Sequence, residues 1–368
     1  MKILQIINSL GTGGAEKLLL DTIPLYRKAG IEMDVLLLWD NELPFTKALE
    51  ELGCCKIYIL KKSSNYKHIY NPLSIFKIRK IIKDYDIVHV HLFPAQYYTV
   101  FANLLNRNRC KLIFTEHSTS NKRLQNFIFK SIERFIYKRY DKLVCITQEI
   151  QDIYGEYLGS SNGLLVVHNG VDISKIQQAD AIDRSCIHTD ISNKDVLVLQ
   201  VSAFRKGKDQ MTLIKAINLM PKNVKLLLVG VGENLQYCKS LSKELGLEKR
   251  VFFLEQRMDV PSLLKTADVV VLSSHYEGLS LSSIEGMASG KPFVATDAPG
   301  LREIVNGAGI LFPIEDEVKL AQEITKLLVD KDYYTSIAKL GEKRASEYDI
   351  GRMIESHIKL YKELYENN

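Results

Sequence analysis

The segment Glu277-Gly278-Leu279-Ser280 directly follows an apolar strand pattern, and Glu285 stands in the helical pattern that comes next. Two carboxylates therefore flank one turn at the start of a helix. Backbone N–H groups at a helix start favour an anion, and carboxylates accept hydrogen bonds from hydroxyl groups. These five residues are predicted to bind a ligand that carries hydroxyl and phosphate groups. The alternative is that both acids are solvated surface residues.

Three basic residues, Arg205, Lys206 and Lys208, follow an earlier strand pattern that ends at Val201. Fixed positive charges at such a position can neutralise a diphosphate leaving group without a metal ion. A solvated basic loop is the alternative interpretation. The pattern thus favours electrostatic stabilisation of a departing diphosphate.

Glycine turns follow two further strand patterns, at Gly13-Gly14 and at Gly230. Glycine lets the backbone approach a ligand closely and present its N–H groups to an anion. Either turn could instead need glycine only for its own geometry. Glu16 stands where a dinucleotide fingerprint has its third glycine, so a hydride-transferring enzyme is disfavoured.

Short apolar strands alternate with amphipathic helical patterns, which is typical of parallel sheets covered by helices. Two doubly wound Rossmann-like domains that face each other across a cleft are predicted, at residues 1–170 and 171–349, with a connection at about 171–195. Ligands of open parallel sheets bind beyond the carboxyl ends of the strands. The predicted strands are 2–7, 33–38, 55–60, 87–92, 111–115, 143–146, 164–167, 196–201, 225–229, 251–254, 269–272, 292–295 and 309–312, followed by helices at 318–329, 333–347 and 353–364.

Composition narrows the class of protein. The 368 residues are 46% hydrophobic and 25% charged, an ordinary globular mixture that excludes disorder. Forty-nine basic and 44 acidic residues give a formal net charge of +5, which gives no reason to expect a nucleic-acid partner. Six cysteines without a C-x-x-C pair, and no secretory or membrane-spanning pattern, favour a cytoplasmic protein with free thiols.

Taken together, these motifs resemble the retaining nucleotide-sugar glycosyltransferases of glycosyltransferase family four, which have the GT-B fold. The resemblance extends over nearly the whole chain. It rests on Gly13-Gly14-Ala15-Glu16, Val88-His89-Val90-His91, Thr115-Glu116-His117-Ser118, Asn169-Gly170-Val171-Asp172, Lys208-Asp209, Gly230-Val231-Gly232 and, above all, Glu277 and Glu285 with the Met287-Ala288-Ser289-Gly290-Lys291-Pro292 segment that follows.

The resemblance implies a role for each matching position in the second half. Lys208 matches the family residue that neutralises the donor diphosphate. Glu277 matches the one that binds hydroxyl groups of the donor sugar. The amides from Gly278 through Leu279 to Ser280 meet sugar and phosphate oxygens, while Glu285 holds the ribose. The family has arginine where this chain has Ala203, so Arg205 is the candidate replacement for that phosphate contact.

For the first half, the resemblance implies that Gly13 and Gly14 lie near the diphosphate and the acceptor, and that His117 lies beside the transferred sugar. A C-terminal helix at 350–368 is expected to pack back on the first domain. His91 is a candidate acceptor residue, with a structural role in the core as the alternative. Asp84-Tyr85-Asp86 resembles a metal-binding D-x-D motif but precedes its strand, so no metal site is predicted.

The predicted function is transfer of a hexosyl unit from a nucleotide diphosphate sugar, with uridine as the expected base, to a glycan or a lipid-linked glycan. The resemblance implies retention of the anomeric configuration and a place in cell-surface polysaccharide biosynthesis, and independence of metals and cofactors is expected. Two alternatives stay open: a nucleotide-sugar epimerase on the same fold, and a non-catalytic subunit that binds a sugar nucleotide.

A peripheral contact with anionic membrane is a further hypothesis. Residues 121–140 are predicted to form a helix that combines an apolar stripe with a basic remainder, and a core-packed helix is the alternative. The apolar positions are Leu124, Phe127, Ile128, Ile132, Phe135 and Ile136, and the basic positions are Lys122, Arg123, Lys130, Arg134, Lys138 and Arg139, with Lys77, Arg79, Lys80 and Lys83 nearby in sequence.

Overall fold

The computed structural model describes residues 1–118, 123 and 127–366. The chain divides into two compact units: unit 1 contains Met1–Gly170 and Ile350–Asn368, and unit 2 contains Val171–Asp349. Unit 2 is therefore inserted between two parts of unit 1. Its first and last residues, Val171 and Asp349, form a parallel bridge, and the Val171 N–H donates to the Tyr348 carbonyl oxygen at 2.9 Å.

Unit 1 contains a seven-stranded sheet in the order β3-β2-β1-β4-β5-β6-β7, and its strand pairs are parallel. The central strands are apolar runs because helices cover both faces of such a sheet. The strands are β1 (Lys2–Ile7), β2 (Glu32–Leu37), β3 (Ile57–Ile59), β4 (Ile87–His91), β5 (Lys111–Glu116), β6 (Lys142–Cys145) and β7 (Leu164–Val166). The helices are α1 (Gly14–Lys28), α2 (Pro44–Leu52), α3 (Ser74–Ile82), α4 (Ala95–Leu105), α5 (Phe127–Tyr137) and α6 (Gln148–Leu158), with a 3-10 helix at Tyr66–Tyr70.

Unit 2 contains a six-stranded parallel sheet in the order β10-β9-β8-β11-β12-β13. Its strands are β8 (Val196–Val201), β9 (Val224–Val229), β10 (Val251–Glu255), β11 (Val269–Leu272), β12 (Phe293–Thr296) and β13 (Ile310–Phe312). Its helices are α7 (Ile173–Gln177), α8 (Arg184–Ile187), α9 (Gln210–Leu219), α10 (Leu235–Glu244), α11 (Val260–Thr266), α12 (Leu281–Ala288), α13 (Arg302–Val305), α14 (Glu317–Val329) and α15 (Lys331–Ala345), with a 3-10 helix at Ser346–Tyr348.

The last helix, α16 (Ile350–Glu366), belongs to unit 1. It buries Met353, Leu360 and Leu364 in the same apolar cluster as residues of β1 and α1. Because buried apolar area is the main favourable term in folding, the first 170 residues depend on this distant segment for part of their core. None of the described helices combines the length and the apolar character that crossing a bilayer requires.

The predicted strands are all present, and each end lies within two residues of its predicted position. The predicted connection at 171–195 differs from the structure, because it contains α7 and α8 and buries Ile173, Ile176 and Ile187 in the core of unit 2. Both helices begin after a capping aspartate, Asp172 or Asp183, and are too short for their periodicity to be visible.

The predicted helix at 121–140 is only partly described. Helix α5 confirms its central part, whereas residues 119–122 and 124–126, including Lys122 and Leu124, lie outside the described residues. Of the predicted apolar stripe, Ile136 is buried, but Ile132 and Phe135 are exposed. The helix therefore presents apolar side chains outward as well as inward.

Replacing Leu360 with alanine is expected to lower the free energy of unfolding of unit 1 by about 2–5 kcal/mol, because it leaves a cavity under α16. Differential scanning calorimetry should show a lower transition temperature for unit 1 and an unchanged transition for unit 2. Glu355→Ala, at an exposed position of the same helix, is the matched control. Equal effects of the two substitutions would show that α16 is not part of the core.

Candidate active site

Four loops meet at the carboxyl edge of the sheet in unit 2. They follow β8, β9, β11 and β12, which are neighbours in the sheet and all parallel, so their carboxyl ends share one edge. Lys208 pairs with Ser274 in a short antiparallel bridge between the loops after β8 and β11. The His275 N–H also donates to the Gly207 carbonyl oxygen at 2.9 Å. The loop with Lys208 and the loop with Glu277 therefore form one structural element.

Lys208 and Glu277 form an ion pair between these two loops, through Lys208 Nζ and Glu277 Oε1. Each side chain is only 11% exposed, and Ser274 Oγ donates to the same carboxylate oxygen at 2.7 Å. Among the described residues, no hydrogen bond reaches Glu277 Oε2. The site thus offers an oriented ammonium group beside a carboxylate oxygen that can accept a bond from a ligand.

A buried polar network holds the backbone beneath this pair. Gln200, 1% exposed within β8, accepts from the Ser273 N–H at 3.0 Å. Ser273 Oγ donates to Asp209 Oδ2 at 3.1 Å. Thr296 Oγ1 accepts from the Ser274 N–H and donates to the Ser274 carbonyl oxygen. Buried hydrogen bonds of this kind fix a single geometry, because leaving any member unpaired is costly.

The loop after β12 supports the Glu277 segment through backbone contacts. The Glu277 N–H donates to the Pro299 carbonyl oxygen at 3.0 Å. Gly300 has φ +79°, and a Cβ built on it would lie 2.2 Å from the Glu277 carbonyl oxygen and 2.6 Å from that of Gly278. Only glycine fits at this close approach. Gly300 is therefore a positioning residue that was not predicted from the sequence.

The glycine loop after β9 packs against the loop that carries the basic residues. Gly230 has φ +141°, and a Cβ built on it would lie 2.1 Å from the Ser202 carbonyl oxygen. Gly232 stands equally close to Phe204, at 2.3 Å from its carbonyl oxygen. The structure thus brings Gly230 into the loop cluster of Lys208, as part of its support.

Helix α12 begins at Leu281 directly after the Glu277 loop, and Ser280 is its capping residue. Gly278 and Leu279 are partly buried in the loop, and Glu285 is partly buried on the helix. The predicted segment therefore occupies a strand end, a turn and a helix start in succession, at the edge where Lys208 lies.

Arg205 is an exposed residue of the same loop as Lys208, and the Lys208 N–H donates to the Arg205 carbonyl oxygen at 3.0 Å. The Arg205 N–H in turn donates to the Ala203 carbonyl oxygen at 3.1 Å. Lys206 is exposed as well. These contacts place all three basic residues within one tight turn of the backbone, so Arg205 stays a candidate for a phosphate contact.

In unit 1, the predicted residues lie at the carboxyl ends of the adjacent parallel strands β1, β4 and β5. Gly13 and Gly14 are exposed at the start of α1, and Gly13 is its capping residue. A Cβ on Gly13 would meet the carboxylate of Glu16. A side chain at position 13 would therefore displace that carboxylate from the helix start.

His91 and His117 are in contact. His91 ends β4 and is 4% exposed, and its Nδ1 lies 3.0 Å from Nε2 of the partly buried His117, just after β5. Burial holds the pKa of His91 well below its ordinary value and lowers the pKa of His117 to about 4. Both rings are therefore neutral at physiological pH.

The surroundings of these histidines are polar and buried. His89 Nδ1 lies 2.8 Å from the Tyr361 hydroxyl of α16. Glu116 accepts from the hydroxyl groups of Tyr137 and Tyr154, each at 2.6 Å, while burial raises the pKa of its carboxyl group. Glu116, the residue before His117, is thus held in place by two tyrosine hydroxyl groups.

The D-x-D segment has structural contacts instead. Asp86 accepts from the Lys2 N–H at 2.7 Å, and Tyr85 donates to Asp34 at 2.7 Å. Within the described part of the chain, no group of three or more His, Cys, Asp or Glu residues is arranged to hold a metal ion.

The supporting residues were missed by sequence reasoning, although two of them carried a signal. Gln5 and Gln200 are single polar residues inside the apolar strands β1 and β8. A polar side chain in a strand buried on both faces must find buried partners, so its presence indicates a hydrogen-bond network. The support from Gly300 and Thr296 comes from a different loop and has no local signal.

Two parallel α/β units, with a cation and a carboxylate at the strand ends of the second unit, are typical of the GT-B class of glycosyltransferases. Two family models match the chain: Glycosyltransferase Family 4 over residues 12–175 and Glycosyl transferases group 1 over residues 187–344. The chain belongs to this family of hexosyltransferases, which confirms the predicted fold class and enzyme class.

Similar proteins include bacterial glycosyltransferases. The chain is 25% identical over 359 residues to the N-acetylgalactosamine-N,N'-diacetylbacillosaminyl-diphospho-undecaprenol 4-alpha-N-acetylgalactosaminyltransferase of Campylobacter jejuni, covering 93% of this chain and 94% of that protein. It is 26% identical over 320 residues to the UDP-Gal:alpha-D-GlcNAc-diphosphoundecaprenol alpha-1,3-galactosyltransferase of Escherichia coli, covering 82% and 81%. Anabaena HepE, solved in complex with UDP-glucose, matches with a TM-score of 0.84 at 25% identity, over 99% of this chain and 100% of HepE.

Gly300→Ala is expected to destabilise unit 2 more than Gly307→Ala does. Both glycines have positive φ, +79° and +74°, so both substitutions carry a backbone cost of about 1–2 kcal/mol. Only at Gly300 would the new methyl group clash with carbonyl oxygens, those of Glu277 and Gly278, which should add about 1–3 kcal/mol. Chemical denaturation of the two variants measures the difference, and equal losses would contradict the proposed support of the Glu277 loop.

Proposed function

We propose that the chain is a retaining hexosyltransferase that uses a UDP-sugar as donor and a hydroxyl group of a glycan or lipid-linked glycan as acceptor. The observation that carries the proposal is the oriented Lys208–Glu277 pair at the carboxyl edge of the sheet in unit 2. A sugar diphosphate needs a cation beside its phosphates and an acceptor beside its sugar hydroxyls, and this pair provides both.

The uridine donor and the lipid-linked acceptor are supported by the relatives. HepE was solved with UDP-glucose, and the Escherichia coli enzyme is named for UDP-galactose. The names of the Escherichia coli and Campylobacter jejuni enzymes both specify an acceptor sugar on a diphospho-undecaprenol carrier. This acceptor class supports a role in assembling cell-surface polysaccharide on such a carrier, at the cytoplasmic face of the membrane.

In the proposed reaction, the acceptor hydroxyl oxygen forms a bond to the anomeric carbon on the face from which the diphosphate departs. The bond between the anomeric carbon and the diphosphate oxygen breaks, and a diphosphate oxygen takes the proton of the hydroxyl group. Lys208, Arg205 and the amides of Gly278 to Ser280 stabilise the negative charge that develops on the diphosphate. These groups supply the charge that a divalent cation would otherwise provide, so the reaction needs no metal.

The binding step changes the partner of Lys208. In the present structure its ammonium group is neutralised by Glu277. A bound diphosphate offers a second anion, and Glu277 Oε2 can accept a sugar hydroxyl while Oε1 stays bonded to Ser274. The ion pair thus preorganises both side chains before the donor arrives, which lowers the cost of ordering them on binding.

The purified protein is expected to transfer sugar from a UDP-sugar to a synthetic diphosphoprenyl glycan in the presence of EDTA, with the donor's anomeric configuration in the product. Lys208→Ala and Glu277→Ala should each lower kcat about a hundred- to a thousandfold, since each removes a group that stabilises the transition state. Nuclear magnetic resonance of the product and initial-rate assays measure these outcomes.

Lys222→Ala and Glu248→Ala, at exposed positions of unit 2, are the matched controls and should keep the wild-type rate. Wild-type turnover in the folded Lys208 and Glu277 variants would refute this placement of the site. Inversion of configuration would refute the proposed reaction. Conversion of the donor without any acceptor would indicate an epimerase instead, and nucleotide binding without transfer would indicate a non-catalytic subunit.

We also propose a membrane-contact surface on unit 1, formed by residues 66–83. Tyr66, Tyr70, Leu73 and Phe76 are each more than half exposed. Five exposed basic residues lie in the same segment: Lys67, Lys77, Arg79, Lys80 and Lys83. Large apolar side chains beside cations are suited to the interface of an anionic bilayer, where apolar area is buried and lysine and arginine contribute about 1 kcal/mol each. A lipid-linked acceptor would make this contact useful to the enzyme.

The double substitution Leu73→Ser and Phe76→Ser is expected to weaken binding to vesicles containing anionic phospholipid by at least about tenfold, because it removes two apolar side chains from the contact. Co-sedimentation at physiological salt measures the binding. Tyr237→Ser, at an exposed tyrosine of unit 2, is the control and should bind as the wild type does. If the wild-type protein did not bind these vesicles, the proposed membrane-contact surface would be refuted.

A further inference from the structure

Gln5 carries a side-chain amide in the middle of unit 1, where it is 1% exposed. Its Nε2 lies 3.6 Å from Met33 Sδ and 3.3 Å from the Tyr361 hydroxyl oxygen. The amide nitrogen faces Met33, whose thioether sulfur can only accept a hydrogen bond, so this orientation gives the sulfur a donor that the flipped amide would not. The amide oxygen, Oε1, therefore faces the other way, toward His91.

This orientation determines which nitrogen of His91 carries the proton. His91 Nε2 lies 2.8 Å from Gln5 Oε1, and a carbonyl oxygen can only accept, so Nε2 must donate. The ring is neutral because burial holds its pKa well below the ordinary value. A neutral imidazole has one proton, which leaves Nδ1 of His91 as an acceptor.

The protonation of His91 also determines which nitrogen of His117 carries the proton. Its Nε2 lies 3.0 Å from His91 Nδ1. Because His91 Nδ1 only accepts, His117 Nε2 must carry a proton and donate it. His117 is neutral as well, so its Nδ1 is an acceptor. Among the residues that the structure describes, His91 is the hydrogen-bond partner of the His117 ring, through Nε2 alone.

We propose that Gln5 and His91 are positioning residues that fix His117 in the tautomer protonated at Nε2, so that His117 Nδ1 accepts a hydrogen bond from a substrate hydroxyl group. The tautomer follows from the hydrogen-bonded chain of three side chains, Gln5, His91 and His117. The identity of the hydroxyl group, on the sugar or on the acceptor, rests on the function proposed above.

The direction of this chain has a chemical consequence. A histidine of undetermined tautomer can either donate or accept, and it would bind a hydroxyl group in two orientations. With its proton fixed at Nε2, the His117 ring can only accept at Nδ1, so the hydroxyl hydrogen must point to the ring. The hydroxyl oxygen then keeps its lone pairs directed away from the ring, toward another partner.

The test is a long-range proton–nitrogen correlation spectrum of the full-length protein labelled with nitrogen-15 at its eight histidines, with His117 assigned by comparison with His117→Asn. The two tautomers and the imidazolium form give distinct nitrogen patterns. The expected pattern for His117 is a protonated Nε2 and an unprotonated Nδ1 at neutral pH. A proton on Nδ1, or a charged ring, overturns the proposal without any need for a substrate or an active-site variant.

Gln5→Met tests the source of the tautomer. Methionine keeps the length of the side chain but removes the acceptor for His91 Nε2–H. A buried unpaired N–H is less tolerated than an unpaired acceptor, so the His91 proton should move to Nδ1, where it donates to His117. His117 should then shift toward the form protonated at Nδ1. An unchanged His117 spectrum in this variant contradicts the role given to Gln5.

Thr115→Val is the matched control, because it removes a buried hydrogen bond from the same cluster, that between Thr115 Oγ1 and His89 Nε2 at 2.7 Å. It should leave the His117 tautomer unchanged, whereas a general loosening of the cluster would shift the tautomer in both variants and would overturn the proposal.

Activity then separates this inference from the proposed function. If both hold, Gln5→Met lowers kcat/KM about tenfold, the loss of one hydrogen bond. If the tautomer shifts but the wild-type protein transfers no sugar, the proposed function fails while the tautomer assignment stands. A shifted tautomer with wild-type kcat/KM in an active enzyme overturns the link between Nδ1 and the substrate.

Discussion

The ion pair between Lys208 and Glu277 is the interaction around which the loops at the carboxyl edge of unit 2 are arranged. Two charges this little exposed gain net stability only when their geometry is fixed and their remaining bonds are satisfied. The structure meets that condition by pairing the loops after β8 and β11 with each other and by anchoring both on Gln200, Asp209 and Thr296. The sheet therefore holds both loops in a fixed position, so the two charged side chains are already oriented when a ligand binds.

Unit 1 uses a related device for a different purpose. In both units, one glutamine stands among the apolar residues of a central strand, Gln5 in β1 and Gln200 in β8, and each is 1% exposed. An amide has a donor end and an acceptor end, so a buried glutamine gives its neighbours a defined hydrogen-bond direction. In unit 2 it fixes a loop backbone through Ser273, and in unit 1 it sets the protonation pattern of histidines.

Most of the fold could be predicted from the sequence, because strands buried on both faces are continuous apolar runs that end in glycine or polar turns. The Glu277 segment was visible for the same reason, since its strand, turn and helix follow each other directly. Contacts between distant segments could not be predicted. Nothing local indicates that Gly300 closes on the Glu277 loop or that Tyr361 reaches His89, because spacing along the chain does not encode the packing of separate elements.

Because unit 2 is inserted into unit 1, the two units can complete their folding at different times during synthesis. Unit 2 is one uninterrupted stretch and can fold as it leaves the ribosome, whereas unit 1 waits for α16. At about 5–20 residues per second, the wait lasts roughly 10–40 s. For that interval the nascent first half exposes the apolar surface that Leu360 and Leu364 later cover. In a newly made chain, chaperones are therefore expected to bind unit 1, although most of unit 1 is translated before unit 2.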